Sequence, residues 1–307
     1  LEEVQAGYVA AIKAAQLGMT VGLIEKDKLG GICLNWGCIP TKALLKSAEI
    51  KNLFEKASEF GISVSDFKID FQSIIGRSRK VSKQLSLGVE HLMKKNKIDV
   101  FKGLGKITKR DEKKIVEIFN NENKNIKSLE TDNIILATGA SSKNLPFLKA
   151  NDQTIWDYKS AMTPDKLPKS IIIIGSGAIG CEFASFYNDM GSDVTIVEMQ
   201  KNILPNEDHE VSDFVSKSFI SRGIKLLTNT KLKEIVNEDS VKCSIQVDDK
   251  TKLIEAEKLI LAVGISPNIK NLGLEEFKIK TVDGYIETDK WMETSEKGIF
   301  AIGDVTE

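Results

Sequence analysis

A chain of 307 residues, 41% apolar and 28% charged, is long enough for two globular domains and has the composition of one. Its net charge of −1 gives no overall electrostatic case for nucleic acid or an anionic membrane as partner, and no apolar run approaches the roughly 18–20 residues of a membrane span. Four cysteines in a chain this long do not make a secreted disulfide scaffold, so a reducing compartment is expected and a close cysteine pair points to redox or metal chemistry.

The first elements belong to an internal repeat. Residues 7–25 read GYVAAIKAAQLGMTVGLIE and residues 180–198 read GCEFASFYNDMGSDVTIVE. Each stretch predicts a helix rich in small residues, a glycine, a short apolar strand and then a glutamate, Glu25 or Glu198, at the same interval from its first glycine. This is the second half of a dinucleotide-binding βαβ unit. In the first copy only Gly7 survives of three expected glycines: the other two positions fall on Glu2 and Val4, and no strand precedes them. A chain that begins inside the motif is the expectation; as written, two large side chains stand where a phosphate needs bare backbone.

After Glu25 comes Gly30-Gly31-Ile32-Cys33-Leu34-Asn35-Trp36-Gly37-Cys38-Ile39-Pro40-Thr41-Lys42. Two cysteines with four residues between them can be bridged if the backbone coils one turn between them. Pro40 suits the first turn of a following helix, whose N-terminus, with Lys42, favours a thiolate. Thiolates of this kind exchange with disulfides, so a reversible dithiol is the natural reading. Two inert buried thiols, or half a zinc site, are the alternatives; the zinc site lacks a second Cys or His pair, because the chain holds only His91 and His209.

Downstream, residues 71–96 have the spacing of one long helix. A strand over 100–102 is followed by a turn containing Gly105, then by a polar stretch, 110–132, that reads as an exposed hairpin. A strand over 134–136 ends in Ala137-Thr138-Gly139, and Pro146, Pro164 and Pro168 mark a linker. The second repeat copy then appears complete. The run 171–174 reads as a strand covered on both faces and enters Gly175-Ser176-Gly177-Ala178-Ile179-Gly180 at a strand-to-helix junction. In such a loop Gly175 permits the tight turn, Gly177 lets a pyrophosphate reach the backbone, and Gly180 lets helix and strand pack closely. Helix N–H groups at Ala178 and Ile179 would face the phosphates, and Glu198 would accept from a ribose 2′-OH and repel a 2′-phosphate, favouring NAD over NADP. A strand over 259–261 ends in Ala262-Val263-Gly264, and residues 294–304 close on Gly303-Asp304.

Taken together these motifs resemble the pyridine nucleotide-disulfide oxidoreductases, and the wording CLNWGCIP is most like the branch that oxidises dihydrolipoyl groups. The resemblance implies an α/β architecture: two Rossmann-like three-layer domains with parallel sheets, an NAD domain at 147–267 inserted into an FAD domain formed by 1–146 and 268–307. It implies that Cys33 exchanges with the substrate disulfide, that Cys38 faces the flavin, and that Lys42 lies by the flavin N5 edge, paired with Glu182. Glu25 would hold the adenosine ribose of FAD, with Gly7, Gly105, Ala137, Thr138, Gly139, Gly303 and Asp304 as further flavin contacts. Gly175, Gly177, Ala178, Ile179, Gly180, Glu198 and Gly264 would hold NAD. The partner implied is a lipoyl-bearing protein of a 2-oxoacid dehydrogenase or glycine cleavage complex, served by a homodimer in the cytoplasm, or in the mitochondrial matrix of a eukaryote. The family's catalytic His–Glu pair sits on a C-terminal interface domain, and no matching histidine stands in this sequence. Related NADPH-dependent glutathione, thioredoxin or mercuric reductases, and a non-catalytic nucleotide-binding remnant, are the alternatives.

Overall fold

A computed structural model describes residues 5–237, 241–247 and 250–306; Glu2 and Val4, the positions in doubt in the first glycine loop, lie outside the described residues. The chain forms two compact units, one drawn from 1–38, 81–141 and 265–307, the other from 39–80 and 142–264.

In the second unit, four consecutive isoleucines, 171–174, leave no polar face for solvent, and all four are buried. The strand Ser170–Ile174 therefore lies mid-sheet, parallel to Asp193–Val197 on one side and Lys258–Leu261 on the other. Lys225–Leu227 and Ile155–Trp156 extend the two sides, giving five parallel strands. Chain order reverses at Ser170–Ile174, and a sheet of this kind opens a ligand crevice at the carboxyl end of such a strand. One core joins Ile172, Ile174, Leu259 and Leu261 to Cys243 and Ile245 of a three-stranded antiparallel sheet, Thr230–Asn237, Lys242–Val247 and Lys250–Glu255. The helix Ala178–Met190 buries Phe183, Phe186 and Tyr187. The buried Tyr187 hydroxyl is satisfied by donating to Ala161 O at 2.6 Å.

The first unit holds two parallel strand pairs, Gly22–Glu25 with Asp99–Lys102 and Ile134–Leu136 with Ile299–Ala301. The polar stretch after residue 110 forms the expected hairpin, Lys113–Phe119 with Asn125–Thr131, and Leu104–Arg110 adds a third antiparallel strand. Ile107 and Val116 of this sheet pack with Leu136, Leu272, Ile299 and Val305. Gly105 lies inside a strand, opposite Ile118, and not in the turn expected of it. The chain bends at Gly103, between the strands Asp99–Lys102 and Leu104–Arg110, where a Cβ would stand 2.6 Å from Phe119 O.

The long helix is Phe71–Lys95, and the boundary between the units falls within it. Its buried stripe, Ile75, Ser78, Ser82, Ser86, Val89 and Met93, follows the helical repeat but is half serine. Each such hydroxyl needs a partner: Ser78 Oγ donates to Ile75 O and Ser86 Oγ to Leu29 O, both at 2.8 Å.

Two glycines with the same left-handed backbone separate conformational strain from close approach. Gly273 has φ +87°, and a Cβ there would lie 2.0 Å from Ile107 O; Gly61 has φ +73° and nothing within 4 Å. Gly61→Ala should cost about 1 kcal/mol. Gly273→Ala should cost at least about 2 kcal/mol more, because backbone must move. Denaturant titration of the two variants checks the difference, and equal losses would remove the packing argument.

Candidate redox and dinucleotide sites

Cys33 and Cys38 form a disulfide, with Cα atoms 4.7 Å apart. The backbone achieves this by a helix break. Cys33 lies in the short helix Gly31–Trp36, Cys38 begins the helix Cys38–Glu55, and Gly37 separates them. A Cβ on Gly37 would stand 3.0 Å from Ile32 O and 3.1 Å from Cys33 Cα, so a side chain would force the two turns apart. Cys33 is half-buried and Cys38 exposed. Asn35, which the sequence reading passed over, holds the loop beneath the pair. Its buried amide donates to Leu29 O and Gly31 O, both at 3.0 Å, while Ser86 Oγ meets the same Leu29 carbonyl. Lys42, in the first turns of the second helix, donates to Glu182 Oε1 at 2.5 Å. The two predicted partners therefore meet, but Lys42 is 61% exposed and the pair adds little stability.

The glycine loop of the second unit has the geometry its residues imply. A Cβ on Gly175 (φ +97°) would lie 2.3 Å from Ala262 O, and one on Gly180 would lie 2.2 Å from Gly175 O. Strand, loop and helix thus touch through bare backbone. Gly177 is different: nothing lies within 4 Å of its Cβ position, so the space over its backbone is open. Gly177 caps the helix Ala178–Met190 without any side-chain bond, and the N–H groups of a first helical turn have no partners within the helix. Ile179 is exposed there. Glu198, following the next strand, is buried. Its Oε1 accepts from Gln200 N at 2.7 Å, and its Oε2 accepts from Ser176 N at 2.9 Å and Ser176 Oγ at 2.6 Å. Glu25 repeats the first of these contacts, its Oε1 accepting from Asp27 N at 2.7 Å, so the two copies agree down to a hydrogen bond. Glu25 is also buried. Gly7 sits in the helix Gln5–Gln16.

The turn at Ala137-Thr138-Gly139 is tied to a distant segment by one side chain. Thr138, fully buried, donates its Oγ1 to Asn268 O at 2.8 Å; Asn268 Nδ2 donates to Thr138 O at 2.9 Å, and Asn268 N to Gly139 O at 2.9 Å. Ser141 Oγ completes the set on Asn268 Oδ1 at 2.7 Å. Neither Asn268 nor Ser141 belongs to a motif in the sequence. Beside them a cavity of about 580 Å³ is lined by Gly105, Thr138, Ser141, Asn268 and the lysines Lys26, Lys106 and Lys270. Gly264 and Gly303 both turn with positive φ, and Asp304 is exposed on the turn closed by Thr306 N on Gly303 O at 2.9 Å.

The remaining thiols differ in kind from the pair. Cys181 and Cys243 are buried, and burial pushes both up to about 12, helped at Cys181 by Glu198 and Glu182. Both are protonated, and so poorly nucleophilic, at neutral pH.

Comparison with known proteins agrees with this geometry. The family model described as pyridine nucleotide-disulphide oxidoreductase matches residues 5–307. Proteins named dihydrolipoyl dehydrogenase are 45% identical in Rhizobium etli and 39% identical in Bacillus subtilis, each over 97% of this chain. The chain spans 65% of the length of either relative. Among solved structures, LpdA of Mycobacterium tuberculosis superposes with a TM-score of 0.91 at 27% identity, over 100% of this chain and 67% of that one. The HOCl-induced flavoprotein disulfide reductase RclA of Escherichia coli reaches 0.81 at 26% identity, over 100% and 66%.

The contrast among thiols is directly measurable. Iodoacetamide at neutral pH should label no cysteine of the oxidised native chain and two, Cys33 and Cys38, after mild reduction. Cys181 and Cys243 should react only on denaturation. Peptide mapping reads the result; rapid native labelling of Cys181 would contradict the burial argument.

Proposed function

Since the chain belongs to the pyridine nucleotide-disulphide oxidoreductase family, we propose that it is the redox portion of a dihydrolipoyl dehydrogenase that uses FAD and NAD. The observation that carries this reading is the Cys33–Cys38 disulfide, astride a helix break, in a chain that also holds an open-backbone glycine loop ending on a buried glutamate.

The residues fit the two nucleotides. Bare backbone over Gly177 and the first turn of the helix Ala178–Met190 offer a pyrophosphate both space and N–H donors, with Gly264 on the neighbouring strand end. A carboxylate has about four acceptor positions; three on Glu198 are filled by protein donors, and one remains for a ribose hydroxyl. In the first unit, the cavity beside Gly105 and Thr138 offers lysine ammonium groups to an anionic dinucleotide, and Glu25 stands at the ribose position of its repeat. Gly7, Ala137, Gly139, Gly303 and Asp304 complete the flavin assignment.

The chemistry of the chain's own residues is thiol–disulfide exchange. A thiolate of the dihydrolipoyl group attacks Cys33 Sγ, a mixed disulfide forms, and Cys38 leaves as thiolate. The second substrate thiol then closes the lipoyl ring and releases Cys33, so two cysteines are reduced as one dithiol is oxidised. The N-terminus of the helix Cys38–Glu55 stabilises the Cys38 thiolate. Lys42, one turn on in the same helix and held by Glu182, would keep a cation near the Cys38 thiolate. A bound FAD would supply the two-electron chemistry that links the dithiol to NAD⁺. His91 and His209 are exposed and outside these motifs; the base that deprotonates the incoming thiol is assigned to the His–Glu pair of the family's interface domain, acting in a homodimer. The lipoyl group is carried by a protein of a 2-oxoacid dehydrogenase or glycine cleavage complex, in the cytoplasm of a bacterium or the mitochondrial matrix of a eukaryote.

Two variants separate the sulfurs. After reduction, Cys33→Ser should keep a long-wavelength thiolate–flavin absorption band and lose exchange with dihydrolipoamide. Cys38→Ser should keep exchange, trapping a mixed disulfide, and lose the band. The reverse pattern would exchange the two roles, and no band in either variant or in the parent would remove the reading.

A further inference from the structure

We propose that Ser176, inside the glycine loop, is a specificity-determining positioning residue: its hydroxyl locks the Glu198 carboxylate in the one orientation that accepts a ribose hydroxyl and turns away a 2′-phosphate. The proposal rests on the reading of the second loop as a dinucleotide site, and goes beyond it by assigning the selectivity to a residue that is not glutamate.

Glu198 could meet the ribose from any residue with a backbone, because Ser176 N and Gln200 N would donate to it whatever their side chains. The Ser176 hydroxyl is the side-chain-specific contact. Ser176 is completely buried and has one O–H to give, which it spends on Glu198 Oε2 at 2.6 Å, the length of a charge-assisted bond. Residue 176 is itself held fast. Its carbonyl accepts from Leu204 N at 2.9 Å and from the Cys181 thiol at 3.2 Å, and the preceding Gly175 is packed against Ala262 O. The buried Cys181 thus has a part to play as an intact thiol donor, in keeping with its raised pKa.

Orientation matters because Glu198 is only 7% exposed. A carboxylate with free side-chain torsions could swing aside to admit a phosphate. With Oε1 on one backbone N–H and Oε2 on two donors from residue 176, the charge stays where it is, and a 2′-phosphate brought to that ribose position meets an unscreened like charge. Removing the hydroxyl leaves the charge but lets it turn. Affinity for an unphosphorylated ribose falls, and the penalty on a 2′-phosphate relaxes.

The test uses FAD-loaded protein and two ligands that transfer no hydride, ADP-ribose and its 2′-phosphate, titrated by calorimetry. Ser176→Ala should weaken ADP-ribose by about ten-fold, the range for a bond to a charged group, and lower the ratio of the two affinities by a similar factor. On a Glu198→Ala background the same substitution should change the ratio by less than about two-fold, because the two residues act as one. An unchanged or tightened affinity for ADP-ribose in Ser176→Ala would overturn the proposal, showing that the hydroxyl competes with the ribose. An equal loss on both backgrounds would overturn it too. If the parent protein itself fails to prefer ADP-ribose, the nucleotide reading fails, and the lock is decided by thermal unfolding. Additive losses in midpoint for the two substitutions then overturn it, and no further loss from Ser176→Ala on Glu198→Ala supports it.

Discussion

The constraint on which the redox chemistry depends is the contact at Gly37. Two short helical turns can present sulfurs to each other across a five-residue step only if the backbone between them folds back on the first turn. Here it does so with Gly37 against Ile32 O and Cys33 Cα. A side chain at this position would have to push that backbone back by a few tenths of an ångström. Asn35 and Ser86 then hold the floor of the same loop by its Leu29 and Gly31 carbonyls, so that the bridge closes on a fixed backbone. Breaking and remaking the S–S bond can in this way leave the surrounding fold in place.

The second unit applies the same device to a different end. Gly175 and Gly180 let the strand Ser170–Ile174, the helix Ala178–Met190 and Ala262 meet through backbone alone, which brings the positive end of a helix to the carboxyl edge of a parallel sheet. Gly177, between them, is bare for another reason: it faces open space. One loop thus contains two glycines required by packing and one with open space over it, the division of roles expected of the motif G-x-G-x-x-G.

The buried carboxylates show how a repeated sequence becomes a repeated function. Glu25 and Glu198 each accept a backbone N–H from two residues on; Glu25 ends a strand of a parallel pair and Glu198 directly follows one. Glu198 is fixed further by Ser176, whose counterpart by repeat register lies outside the described residues. In the first unit, the tie comes later in the chain, where Asn268 bonds both sides of the Thr138 turn. That side chain connects the end of one sheet strand to the segment in which the chain re-enters the unit.

Much of this protein was determined locally, and so could be read from its residues. Four isoleucines in a row, a glycine at each required step and an acid at the end of the next strand dictate a strand, loop, helix and strand through short-range sterics, and the structure has them. The cysteine pair was legible because bridging across one turn is a local geometric condition. What tertiary structure alone decided were contacts between residues far apart in the chain. Ser86 reaching Leu29, Asn268 reaching Thr138, Lys42 reaching Glu182 and the serine stripe of the helix Phe71–Lys95 all depend on which elements pack together. The bend at Gly103, two residues before the turn expected at Gly105, lies against Phe119 O in a partner strand. Periodicity and spacing report the covalent neighbourhood of a residue. The partner that satisfies a buried polar group is chosen by packing, and no local rule names it.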